Sequence, residues 1–182
     1  MRGLILALLL LPAAAFGQTP AEKKAALDKM LDALRTAPTE QVAGMMEQRI
    51  RQAWLEAGTP AVTLLMSRGL RELNAGATEE AVSVFGDAIV LDPSHAEAWH
   101  QRGIARFQGG DTKGAVRDIQ ETLKLEPRHF GAWQTLVRIA EAREDWKAAH
   151  DAWTHVLDID PRAPRGQERL KDLKRKAFGD DA

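Results

Sequence analysis

Apolar positions along this chain recur on two scales. Locally they fall at steps of three and four, the spacing of one helix face. Leu27, Met30, Leu31 and Leu34 make one such stripe, and Val42, Met46, Ile50 and Trp54 make another, with Met45 and Ala53 beside it. Polar and turn residues punctuate the stripes. Thr19 caps a first helix, with Pro20 in its first turn and Glu22 completing a capping box. Pro38 ends that helix, Thr39 caps the next and Gly58 closes it. On the longer scale the pattern repeats every 34 residues. Leu91-Asp92-Pro93, Leu125-Glu126-Pro127 and Ile159-Asp160-Pro161 are in register. So are Leu65, Trp99 and Trp133; Ala81, Ala115 and Ala149; Phe85, Ile119 and Trp153; and Ala88, Thr122 and Val156. A fixed period of this length predicts stacked copies of one supersecondary unit.

The period and its residues resemble the tetratricopeptide repeat (TPR), a 34-residue helix–turn–helix unit with Trp, Leu-Gly, aromatic, Ala, aromatic and Pro at fixed offsets. The middle copy carries Trp99, Gly103, Ala115 and Pro127 at those offsets and departs at Arg102, Arg106 and Ile119. The third has Trp133, Leu136, Ala149, Trp153 and Pro161, with Val137 and Ala140 in place of the Gly and the aromatic. The first keeps Gly69, Ala81, Phe85 and Pro93 but has Leu65 and Glu72 for the Trp and the aromatic. The resemblance covers Val62 to Ala163. It implies an all-α, right-handed superhelical solenoid.

The spacing itself has a packing logic. Gly69 and Gly103 are expected where the two helices of a unit cross closely, with Ala81 and Ala115 facing them. Gly76 and Gly110 are expected to end first helices in the left-handed conformation. Each Pro stops the second helix of its unit, and Ser94 with Glu97 reads as a capping box for the next. The expected layout is a signal peptide over 1–17, an N-terminal helix pair over 18–58, three repeats over 59–163 (about 62–95, 96–129 and 130–163), and a capping helix and tail over 164–182. The last helix, Gln167 to Phe178, offers Leu170, Leu173 and Ala177 to the array and a polar outer side. The N-terminal pair lacks the repeat offsets and reads as a distinct cap rather than a degenerate repeat.

Charge and composition narrow the function. The chain has 182 residues and a net charge of −1, which gives no electrostatic reason to expect nucleic acid. It has no cysteine, which excludes disulfides, cysteine metal sites and thiol catalysis. Met1-Arg2, the apolar run Leu4 to Leu11 and the small residues after Pro12 have the layout of a secretory signal peptide, with a cut after Ala15 or Gly17. An uncleaved anchor is the other reading, although Leu4 to Phe16 is short for a span. Bacterial export to the periplasm is the expectation, with no stable membrane insertion after cleavage. The order of elements resembles a group of small exported bacterial TPR proteins.

Candidate chemistry is sparse. Trp54, Trp99, Trp133, Trp146 and Trp153 sit at packing positions. His95 and His129 occupy equivalent turns, and with His100, His150 and His155 they show no metal-binding spacing. No nucleophile elbow or phosphate loop is present. No catalytic residue, cofactor or metal is therefore expected. The basic run Arg162 to Lys176 reads as a solvated capping face with favourable charge at a helix C-terminus, with contact to anionic lipid or lipopolysaccharide as the alternative.

The resemblance to the TPR implies that the first helix of each unit lines a concave groove. The lining positions are Thr63, Met66, Leu70 and Leu73, then Glu97, His100, Ile104 and Phe107, then Gly131, Gln134, Arg138 and Glu141. The groove is expected to be apolar at one end and of mixed charge at the other. Either a partner or the folded-back N-terminal helices would cover Met66, Leu70 and Leu73. One TPR subtype grips a partner's C-terminal carboxylate with Lys and Asn. Met66, Leu70, His100 and Ile104 at those positions argue against it. The expected function is a non-catalytic protein–protein interaction module that takes a helix or extended peptide in this groove. The alternatives are a membrane-anchored envelope assembly factor with an uncleaved N-terminus and, third, an enzyme with a site the sequence does not display.

Overall fold

The structure is a computed structural model and describes residues 19–179; the expected signal peptide lies outside the described residues. Among the described residues the chain is all α: α1 (Pro20–Arg35), α2 (Glu40–Leu55), α3 (Pro60–Asn74), α4 (Thr78–Leu91), α5 (Ala96–Gln108), α6 (Thr112–Leu125), α7 (Phe130–Ala142), α8 (Trp146–Ile159) and α9 (Gly166–Phe178). The pairs α3–α4, α5–α6 and α7–α8 are the three repeats, each packed internally and stacked on the next, and α9 closes the stack against α8.

The repeat residues explain the pairing. A Cβ on Gly103 would lie 2.9 Å from Ile119 Cδ1 and 3.3 Å from the Ala115 carbonyl oxygen, and one on Gly69 would run into the Phe85 ring. Trp99 and Trp133 each donate their indole N–H to the carbonyl of the preceding repeat's proline, Pro93 at 2.9 Å and Pro127 at 3.1 Å. Each first helix ends in the same turn: the amides of Ala77, Asp111 and Asp145 reach back to the carbonyls of Glu72, Arg106 and Ala140. That turn needs a left-handed residue. Gly76 and Gly110 supply it, with φ of 79° and 88°, but in the third repeat Glu144 stands there at φ 57°.

The middle repeat's departures are compensated. Arg102 grips Asp118 with two hydrogen bonds of 2.9 Å, and Arg106 adds a third at 2.8 Å. Asp118 is only 2% exposed, so the two guanidinium groups turn an apolar helix–helix contact into an ionic one. The expected Ser94–Glu97 capping box does not form. His95 is the residue before α5, Ser94 hydrogen-bonds Asp92 instead, and Glu97 is buried among histidines. A Glu with two buried histidine partners gains more there than at a solvated helix start.

The N-terminal hairpin decides the shape of the site. Thr19 and Thr39 cap α1 and α2, and α2 ends at Leu55, ahead of Gly58. Instead of standing at the end of the array, the hairpin lies across it, with α2 on α5 and α1 on α8. Leu31, Leu34, Ala43, Ile50 and Trp54 share a core with Phe130 and Ile159, which come from the two ends of the third repeat.

Candidate functional site: the concave face

The first helices α3, α5 and α7 bring the groove positions onto one face. Met66 is buried in the first repeat's core, and Leu70 and Leu73 are half-buried around it beside Leu55 from the end of α2. Glu97 and His100, at the start of α5, are buried, as is Gly131. Ile104 and Phe107, one and two turns on, are half-buried, and Gln134 and Glu141 are half-buried. Arg138 is exposed, with its guanidinium 5.9 Å from the centre of the Phe107 ring.

The face therefore has two halves. Over the N-terminal ends of α5 and α7 it is covered by α2. Trp54 stacks on His129 at 3.9 Å, nearly parallel. Arg51 donates to Gln134 at 3.1 Å and lies over Phe130. Arg128 holds Asp28 and Asp32 of α1. Towards the C-terminal ends of α5 and α7 the face shows Ile104, Phe107, Arg138 and Glu141, with Glu141 paired to Arg169 of the capping helix at 2.9 Å.

Under the cover lies a network that sequence spacing did not reveal. Glu97 Oε2 accepts from His129 Nε2 at 2.7 Å and lies 3.3 Å from His100 Nδ1. The Thr135 hydroxyl donates to the Gly131 carbonyl, so His100 Nε2 donates to Thr135, at 3.2 Å. Burial alone would raise the Glu97 carboxyl, but His100 and His129 outweigh it and hold Glu97 well below the usual carboxylate range. His129 is lowered to about 4 by burial and by His100, against the pull of Glu97. Glu97, His100 and His129 are close enough together to be weighed as metal ligands. His129 argues against it. Its Nδ1 accepts the Ala132 amide at 3.0 Å, so Nε2 carries the ring's one proton and has no lone pair for a metal. The group is an internal hydrogen-bonded seat for α2. His129 occupies a repeated turn position, and what gives it this role is a distant helix.

The remaining tryptophans and the basic run are structural. Trp133 stacks on His155, and Trp153 donates to the Gly166 carbonyl. Arg165 pairs with Glu168, Arg175 with Asp172, and Lys176 lies over Trp146. No helix among the described residues is long and apolar enough to cross a membrane.

No family model matches the chain. A TPR repeat-containing protein of Rhizobium etli is 28% identical over 156 residues, covering 86% of this chain and 76% of the relative. Solved structures share its fold at TM-scores of 0.59 to 0.61. This chain has the tetratricopeptide-repeat fold. A solved structure titled MamA aligns over 91% of this chain and 88% of its own, at a TM-score of 0.61 and 19% identity. The Sgt2 TPR domain of Aspergillus fumigatus aligns at 0.59 and 22% identity, over 65% of this chain and 80% of its own. The first TPR domain of RPAP3, solved with an HSP90 peptide, aligns at 0.60 and 17% identity, over 65% of this chain and 94% of its own. At these identities the likeness is one of fold.

Proposed function

We propose that this TPR protein is a non-catalytic interaction module, exported to the bacterial periplasm, that binds a partner helix or extended peptide on the open half of its concave face. The observation that carries the reading is the Ile104–Phe107 pair. The two residues share one face of α5, belong to none of the three apolar cores, and sit beyond the seat of the hairpin. Leu70 and Leu73 continue the apolar strip on one side, and Arg138 and Glu141 give the other side its charge. A central apolar pair that sheds water on contact, with a polar rim, is what a binding hot spot requires. The RPAP3 neighbour was solved bound to an HSP90 peptide, which supports a peptide ligand for this fold. This chain's grip would differ, because Met66 and His100 are buried and out of reach of a terminal carboxylate.

The test is selection of peptides from a displayed library on the protein without its first seventeen residues, followed by calorimetry with the double variant Ile104→Asp, Phe107→Asp. Binding should be lost while helix content is kept. A folded variant that binds as before sinks the groove reading. Export is checked separately: the intact mass of protein from the periplasmic fraction should begin at Phe16 or Gln18, and a mass retaining Met1 in the membrane fraction favours the anchored alternative.

A further inference from the structure

The seat of the hairpin contains two buried carboxylate oxygens, one on each of two side chains, that no donor among the described residues serves. Asp160 follows α8 and is fully buried. Its Oδ1 accepts the Arg162 amide at 3.0 Å. Asp92 and Glu126 do the same for Ser94 and Arg128 in the earlier repeats, so the repeat's turn accounts for one oxygen each time. The second oxygen of Asp160, Oδ2, is buried without a donor, and so is Oε1 of Glu47 on α2. The other Glu47 oxygen takes Arg51 at 3.3 Å. Glu47 and Asp160 are side-chain hydrogen-bond neighbours. Two ionised carboxylates are acceptors only, and a single proton between them satisfies both orphaned oxygens.

We propose that the α1–α2 hairpin is a displaceable cover on the concave face, latched by one proton shared between Glu47 of α2 and Asp160 of the third repeat. This deepens the binding reading above and rests on it, since what the cover hides is the N-terminal half of that face. The charged groups around Asp160 are Glu47 and Glu40 of α2, with Arg51 on the far oxygen of Glu47; on its own turn the Arg162 amide opposes them. The charges of α1 at this interface, Asp28 and Asp32, are engaged by Arg128. Burial, and after it the hydrogen bond from Glu47, push the Asp160 carboxyl up to about 7. Released into water, the hairpin leaves Asp160 to titrate in the ordinary carboxylate range. The docked form keeps a proton that the released form sheds, so docking is strongest at or below that range. It weakens as pH rises towards 7 and then levels off.

The test needs no partner, so it can fail without touching the groove reading. Hydrogen exchange of the α1 and α2 amides, corrected for intrinsic rates, is measured from pH 5 to 8.5 in the wild type, Glu47→Gln and Asp160→Asn. Each variant replaces the shared proton with an amide N–H that no pH in this range removes. The ratio of protection at pH 5 is the reference, because wild-type docking has by then begun to weaken. The variant-to-wild-type ratio of protection should then grow, by at most about tenfold per pH unit up to pH 7, while protection of α6 stays the same in all three. Taking the ratio cancels His129 under Trp54, which titrates over part of this range with the opposite sign. A ratio that stays flat or falls with pH overturns the latch.

Discussion

At the residue scale the informative positions are those that break the repeat. Glu144 holds a left-handed turn that Gly76 and Gly110 hold in the other repeats. A non-glycine residue there costs about 1 kcal/mol, so Glu144→Gly should raise the melting temperature, and a thermal melt reads it directly. Gly103 is the opposite case. Its missing Cβ leaves room for Ile119 and the Ala115 backbone, so Gly103→Leu should cost about 1–3 kcal/mol or more by overpacking, visible as a lower denaturant midpoint. Arg102 and Arg106 look like damage to the motif until Asp118 is found between them. Removing that carboxylate strands two guanidinium groups against an apolar interface, and Asp118→Ala should destabilise by about 3 kcal/mol in chemical denaturation.

At the element scale the hairpin α1–α2 behaves unlike the repeats. The repeats hold one another through periodic apolar faces. The hairpin is held through one shared core and a set of polar and ring contacts to residues far away in sequence: Trp54 on His129, Arg51 on Gln134, Arg128 on Asp28 and Asp32. Elements docked this way open at lower free energy than the body of the fold. Trp54→Ala should therefore strip hydrogen-exchange protection from α1 and α2 and leave α6 protected. Loss of protection throughout the chain would mean that the hairpin is part of the cooperative core.

At the scale of the whole molecule the buried Glu97–His100–His129 group sets the response to acid. His129 is held below its ordinary value, so its contribution is complete above about 6.5 and is lost as pH falls towards about 4. Glu97 is held low as well, so its contribution is present above the ordinary carboxylate range and disappears below it. Stability towards denaturant should fall as pH drops from 6.5 to 4. Imidazole NMR should find the His129 ring still neutral at pH 5. A His129 that titrates at its ordinary value would mean that the network is not closed.

The sequence by itself determined the repeats. A 34-residue period writes the same helix pair three times, and each copy's Gly, Ala, Trp and Pro act within one unit or on the next, so local spacing carries the information. It also determined the caps of α1 and α2, because Thr19 and Thr39 bond amides three residues away. Only the tertiary structure decided where the hairpin lies. Its apolar stripe says that α1 and α2 bury a face, but a stripe does not name its partner, and Phe130 and Ile159 are some 80 to 130 residues distant along the chain. The same limit hid the division of the groove. Met66, Glu97, His100, Ile104 and Phe107 occupy equivalent kinds of position in the repeat, yet the first three are buried and the last two half open. Burial there depends on what is laid across the face, and for a polar residue such as Glu97 it depends on whether buried partners arrive from elsewhere to satisfy its charge.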